Sequence, residues 1–248
     1  MTEIHGFAAF FGVADPNLQL GMAAAVTLFF AIVGYISRGV TFSGALAGAV
    51  VSFALYGGAG AGAFAVLVLV FGVTWLATRL GYRRKVTLGT AEKEAGRTAQ
   101  QVLANLAVAG ACAAGYGLFA RKDALLLAMA AALCEAVADT VSSELGQVAS
   151  RTARLITNWQ EVAAGTDGGV TWAGTLAGTI ASALIAAVGL AVGLVSVQGV
   201  VIASAAGTAG MLADSLMGAL LERRGLLNND AVNFLGTLTA AVLALLPA

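Results

Sequence analysis

Segments of about twenty apolar residues recur along almost the whole chain, separated by short loops that hold most of its charges. A helix needs about 20 such residues to cross the hydrocarbon core of a bilayer. By that measure the expected spans are 18–36, 41–57, 60–79, 99–119, 124–147, 171–195, 199–221 and 230–247. Residues 1–17 are too short a run to span and are expected to form an interfacial or re-entrant piece. Composition agrees: 59% of the 248 residues are hydrophobic, only 10% are charged, and the mean hydropathy is +0.90. Soluble domains carry roughly 25% charged residues. Two cysteines, Cys112 and Cys134, cannot staple a secreted scaffold of this length and read as small apolar side chains. The chain is therefore expected to be an all-α polytopic membrane protein of about eight transmembrane helices, one integral membrane domain over 1–248.

Loop charges orient it. With the N-terminus outside, 11 of the 13 basic residues fall in cytoplasmic loops, above all in 80–98 and 148–170. Only Arg121 and Lys122 lie opposite. This is the positive-inside asymmetry. A net charge of zero supplies no broad basic field, so nucleic acid is not an expected partner, whereas membrane lipids are.

An internal repeat is visible. Phe42-Ser-Gly-Ala-Leu-Ala-Gly48 resembles Trp172-Ala-Gly-Thr-Leu-Ala-Gly178, and Phe234-Leu-Gly-Thr-Leu238 echoes both. Each is expected to open a helix leaving the cytoplasmic side. Ala138-Asp139-Thr140 likewise matches Ala213-Asp214-Ser215. Helical hairpins repeated in one orientation follow, with the glycines spaced four apart letting backbones approach closely.

Acidic side chains inside a span cost about 2.5–3.5 kcal/mol each at the bilayer centre, which makes them functional candidates. Helix 124–147 carries Glu135, Asp139 and Glu144, and helix 199–221 carries Asp214. Glu135, Asp139 and Ser143 are four apart and share a face. At 1.5 Å per residue Asp139, Asp214 and Asn105 fall at similar depths, about 5 Å to the cytoplasmic side of mid-span. Glu144, Asp230 and Asn233 lie nearer the surface. Such oxygen ligands suit Mg²⁺, which binds through one or two carboxylates plus substrate phosphates. Interhelical hydrogen bonding, or a proton or cation path, is the alternative.

Two cytoplasmic loops face this cluster. One holds Lys85, Lys93 and Arg97, cations for phosphate or for lipid headgroups. The other is Gly165-Thr166-Asp167-Gly168-Gly169, whose amides would meet phosphate at the start of the next helix. No GxxxxGK[ST] loop is present and His5 is the single histidine, so neither a P-loop nor histidine catalysis is expected.

The ordered motifs Gly96-Arg97 to Gln101-Val-Leu-Ala-Asn105, Ala138-Asp-Thr-Val-Ser-Ser-Glu-Leu-Gly146, Gly165-Thr-Asp-Gly-Gly-Val-Thr171, Leu212-Ala-Asp-Ser-Leu-Met-Gly218 and Asn229-Asp-Ala-Val-Asn-Phe-Leu235 together resemble one membrane family. It is the group catalogued as domain of unknown function 92, which includes transmembrane protein 19 and phytyl-phosphate kinase. The chain departs from the family's pattern at Leu106 and at Asp167, which adds a negative charge to the glycine loop. The resemblance implies a kinase that converts phytyl phosphate or a similar prenyl monophosphate to the diphosphate, with a nucleoside triphosphate, CTP favoured, as donor. The site so implied has Asp139, Glu144, Asp214 and Asp230 holding Mg²⁺, and Asn105, Asn233 and Ser143 making neutral contacts. Lys85, Lys93 and Arg97 would bind phosphate, and the loop from Gly165 through Thr166, Asp167 and Gly168 to Gly169 would cradle it. The expected location is a bacterial-type inner membrane or a thylakoid membrane, with the site on the cytoplasmic side; a homodimer is compatible with it. A small-solute or ion-coupled transporter is the competing reading, since repeats and intramembrane acids suit one equally.

Overall fold

The computed structural model describes residues 16–91, 96–119 and 122–246. The expected N-terminal interfacial piece falls almost wholly outside them. The helices are α1 (Pro16–Ile36), α2 (Phe42–Arg79), α3 (Tyr82–Leu88), α4 (Ala99–Leu118), α5 (Asp123–Ala149), α6 (Trp172–Ala191), α7 (Val197–Leu220) and α8 (Asn229–Leu245). Among the described residues, five helices are long and apolar enough to cross a membrane, and α1 and α8 contribute shorter apolar stretches.

At 38 residues, α2 would run about 57 Å if straight, nearly twice the hydrocarbon core. It does not run straight. Gly60, in the glycine-rich stretch 57–62, takes φ 87° and ψ −177°, a conformation essentially closed to other residues. Beyond it the chain returns: Trp75 and Arg79 both donate to the carbonyl of Ser37, just before the helix begins. The two halves, 42–59 and 61–79, therefore form a hairpin, matching the two spans expected there.

The repeat has a structural meaning at two of its three copies. Thr41 and Thr171 are helix N-caps, each accepting from the amide three residues on, at Gly44 and Gly174. Those glycines let a segment from elsewhere in the chain come within backbone contact. A Cβ on Gly44 would lie 2.2 Å from Arg97 O, and one on Gly174 2.4 Å from Ser142 O. The third copy differs from expectation. Phe234 does not open a helix, because Asn228 caps α8 six residues earlier through the Ala231 amide.

At the centre stands α5, its middle buried from Ala128 to Ala138 and surrounded by α2, α4, α6, α7 and α8. Six of the eleven residues of that stretch are alanine, which admits close neighbours on several sides. The expected loop 148–170 contains a small antiparallel sheet in the order β2-β1-β3, with β1 Thr152–Leu155, β2 Glu161–Ala163 and β3 Gly169–Val170. At its edge Trp159 stacks on Trp172, ring centroids 6.4 Å apart, both largely exposed. Indole pairs of this kind are at home in the headgroup layer.

Candidate functional site

Two cavities flank α5 near the end where the basic loops gather. The first, of about 200 Å³, is polar. From α5 it takes Asp139, Ser142, Ser143 and Gly146, one face of the helix at spacings of three and four. From α7 come Asp214, Ser215 and Gly218, and from the one-turn 3₁₀ helix beyond it Glu222. Asn229 and Asn233 of α8 and the loop Gly165–Gly169 close it. Four carboxylates thus face one small space whose lining, among the described residues, contains no lysine or arginine.

The loop reaches the pocket in a way the sequence did not suggest. It is not the N-terminus of α6, because Thr171 caps that helix and Gly169 and Val170 pair with Leu155 and Arg154 as β3. Two of its amides are spent internally, Thr166 on Ala163 O and Gly169 on Thr166 O. What holds it in place is Gly168, at φ 75° and so close to α7 that a Cβ would fall 2.4 Å from that of Ala219.

Five of the expected elements therefore meet here: Asp139, Ser143, Asp214, Asn233 and the glycine loop with Asp167. Others do not. Lys85 is fully buried, its ammonium donating to Ala77 O, Thr78 O and Glu144 Oε2. All three of its N–H bonds are used, so it is not available to phosphate, and Glu144 is turned to it and away from the pocket. The pair locks α3 against α2 and α5, and it replaces the roles expected of both residues. Asp230 sits in the first turn of α8 without lining the pocket. There it complements the helix dipole. Lys93 lies outside the described residues. Sequence reasoning missed Glu222, Ser142, Ser215 and Asn229; Glu222 precedes Arg223 and Arg224 and was hidden in what reads as a basic loop.

Deeper in the bundle, Glu135 is buried where α5 crosses α7 and α8. Its Oε1 has no hydrogen-bond partner, nor has Asp214 Oδ2. Both oxygens converge over Gly236: a Cβ there would be 2.5 Å from Glu135 Oε1 and 3.3 Å from Asp214 Oδ2.

The second cavity, about 430 Å³, lies on the other side of α5 between α1, both halves of α2, and α4. Its walls are mainly apolar, among them Phe30, Leu67, Val70 and Phe71, and Asn105 also lines it. At one end are Arg38, Arg79 and Arg97. Arg97 is the link between the two cavities. Its backbone is clamped to the α1–α2 turn through Gly39 O and the Thr41 amide, while its guanidinium donates to Thr140 Oγ1 at 3.1 Å, beside Asp139.

Among the described residues, no three acids stand close enough to form a metal-binding group by themselves. Mg²⁺ does not require one, because it commonly uses one or two carboxylates and completes its shell with substrate phosphates and water. Asp139 and Asp214, the second with an orphaned oxygen, fit that donor set.

A bundle of long apolar helices around a carboxylate-lined pocket defines an integral membrane protein with a polar site set at one end of its helices. The chain belongs to the integral membrane protein family DUF92, whose pattern it matches over residues 25–241. An uncharacterized membrane protein of Methanocaldococcus jannaschii is 33% identical over 85% of this chain and 86% of its own length. An uncharacterized membrane protein of Synechocystis is 31% identical, covering 73% of this chain and 72% of its own. The chloroplastic protein VTE6 of Arabidopsis thaliana is 27% identical over 94% of this chain and 72% of its own length. No solved structure matches.

Proposed function

We propose that this protein is a membrane-embedded kinase that transfers the terminal phosphoryl group of a nucleoside triphosphate, CTP favoured, to a prenyl monophosphate such as phytyl phosphate. The observation that carries the reading is the adjacency of an acidic polar pocket and an arginine-ended apolar cavity, joined through Arg97. The family resemblance and the similarity to VTE6 point the same way.

A phosphate monoester has a second pKa near 6, so it is a competent nucleophile at neutral pH without a general base. That suits a pocket with no histidine among its described residues. One acceptor oxygen forms a bond to the γ-phosphorus while the bond to the β–γ bridging oxygen breaks, giving the prenyl diphosphate and a nucleoside diphosphate. The obstacle is repulsion between two polyanions, which positioning and cations must overcome. Arg97 supplies a fixed positive charge between the cavities. Asp139 and Asp214 would hold Mg²⁺, which neutralises charge on the donor phosphates. Asn233, Ser143 and the remaining amides of the Gly165–Gly169 loop would orient the donor. The site would face the cytoplasmic side, where the basic loops lie.

The test is phosphoryl transfer by protein purified in detergent. Geranylgeranyl or phytyl monophosphate is supplied with labelled CTP, ATP, GTP or UTP and Mg²⁺, beside Asp139→Asn and Asp214→Asn. Diphosphate formed by the parent and lost in both folded variants is the expected result. No product with any nucleotide overturns the reading. An ion-coupled carrier is the second reading, favoured by the unpartnered oxygens of Glu135 and Asp214 over Gly236. Ion-dependent flux in liposomes, lost in Glu135→Gln, would support it.

A further inference from the structure

We infer that the cavity between α1, α2 and α4 holds the hydrocarbon tail of a single-chain lipid monophosphate, whose headgroup is gripped by Arg97 together with Arg38 and Arg79. The inference rests on the kinase reading for the identity of the headgroup as the acceptor phosphate, and on the structure for the place.

Three observations support it independently of one another. The first is the distribution of charge. The cavity is mainly apolar and carries three guanidinium groups at one end, so it complements an amphiphile with an anionic head. Arg38 is exposed, held at φ 54° in the α1–α2 turn, and its side chain makes no ion pair or hydrogen bond among the described residues. Arg97 uses one guanidinium donor on Thr140, leaving others to aim at phosphate.

The second is length. From Arg79 to Leu67 the cavity follows 12 residues of α2, about 18 Å at 1.5 Å per residue. Half the hydrocarbon thickness of a bilayer is about 15 Å. A tail anchored at the arginines would reach the mid-plane.

The third comes from the repeat. In the second copy the last glycine, Gly178, is shut in: a Cβ would fall 2.6 Å from both Ala138 O and Met211 Sδ. Its counterpart Gly48 lines the cavity and has nothing within 4 Å of where a Cβ would be. One turn on, Ser52 Oγ is fully buried, lines the same cavity and has no partner. The same local motif closes on its neighbour once and stands open once, and the open copy is the one under the arginines.

The place also suits the reaction. A phosphate on Arg97 lies next to Thr140 and Asp139, at the boundary with the carboxylate pocket.

The test is binding of geranylgeranyl monophosphate to the full chain in nanodiscs with no nucleotide present, followed by its KM in the transfer assay. Gly48→Leu should weaken binding at least tenfold while leaving Mg-nucleotide binding within about twofold and without lowering the temperature of thermal unfolding. Gly48→Met serves if the leucine variant does not fold. Arg97→Gln should weaken the phosphate at least tenfold while leaving geranylgeraniol, which has no phosphate, unaffected. A diazirine-bearing geranylgeranyl phosphate should label α2 near Gly48. Unchanged binding in both folded Gly48 variants, or labelling elsewhere, overturns the assignment. Equal binding of dioleoyl phosphatidate overturns the single-chain specificity. Binding that depends on Gly48 and Arg97 with no diphosphate formed upholds the cavity and removes the kinase reading. Diphosphate formed with a KM indifferent to Gly48 does the reverse.

Discussion

A buried ammonium is expensive, and Lys85 is buried completely. It is tolerable because Glu144 and two carbonyls satisfy all three donors. Removing one partner of a buried pair leaves an uncompensated charge, at a cost of about 3–5 kcal/mol, whereas replacing both with apolar groups is often neutral. Lys85→Met should therefore lower the unfolding free energy in mixed micelles by that order, and Lys85→Met with Glu144→Leu should recover most of it. Gly44 and Gly48 offer a sharper contrast. A methyl at Gly44 meets a backbone carbonyl at 2.2 Å, which cannot move without breaking the Thr41–Arg97 connection. Gly44→Ala should cost about 1–3 kcal/mol. Gly48→Ala meets open space and should stabilise the helix by about 0.5–1 kcal/mol. Thermal unfolding of the two variants side by side checks both.

Among the elements, α2 shows what kind of information the chain carried openly. Its hydropathy separates two spans at the glycines near residue 60, and the reversal there is real even though the helix is nearly continuous. A cysteine pair replacing Ser37 and Arg79, with the native thiols removed, should be joined by a short bifunctional thiol reagent, since a straight α2 would hold these positions about 55 Å apart. The repeat at Thr41 and Thr171 was legible because a cap and a close-packed glycine leave a fixed spacing. Its third copy misled, since Phe234-Leu-Gly-Thr-Leu238 has the glycine but no cap before it. Asp139 and Asp214 were legible as candidates because an acid in an apolar helix has no ordinary reason to be there, and both line the polar pocket. Glu144 looked the same and proved to be one half of an ion pair, because its partner comes from a segment 59 residues away that no local pattern connects to it. The sheet in 152–170 was not foreseen, since strands of two to four residues are too short to show alternation. For the same reason the glycine loop was mistaken for a helix start.

For the molecule as a whole, the asymmetry of basic loops predicts a sidedness. Leu226, exposed after α7, and Val197, exposed at its start, lie at opposite ends of that helix. Single cysteines placed there should react with a membrane-impermeant maleimide from opposite faces of sealed vesicles, position 226 from the cytoplasmic face. Labelling of both from one face would contradict the proposed orientation. The kinase reading makes a thermodynamic prediction as well. A ligand present at about 100 times its Kd stabilises the state that binds it by about 2.7 kcal/mol. Mg-CTP at that excess should raise the unfolding temperature of the parent and leave that of Asp214→Asn unmoved.

The unequal fate of Gly48 and Gly178 carries a consequence for how such a protein can change. Two copies of one segment begin with the same capped turn and the same first glycine, so either can dock without relearning how to start. Past that point they differ: one copy is closed against its neighbours and the other stands open to the cavity. Residues around Gly48 can then be exchanged to accommodate longer, shorter or stiffer guests while the scaffold's own seams stay intact, which makes duplication a route to new selectivity that leaves the architecture unaltered.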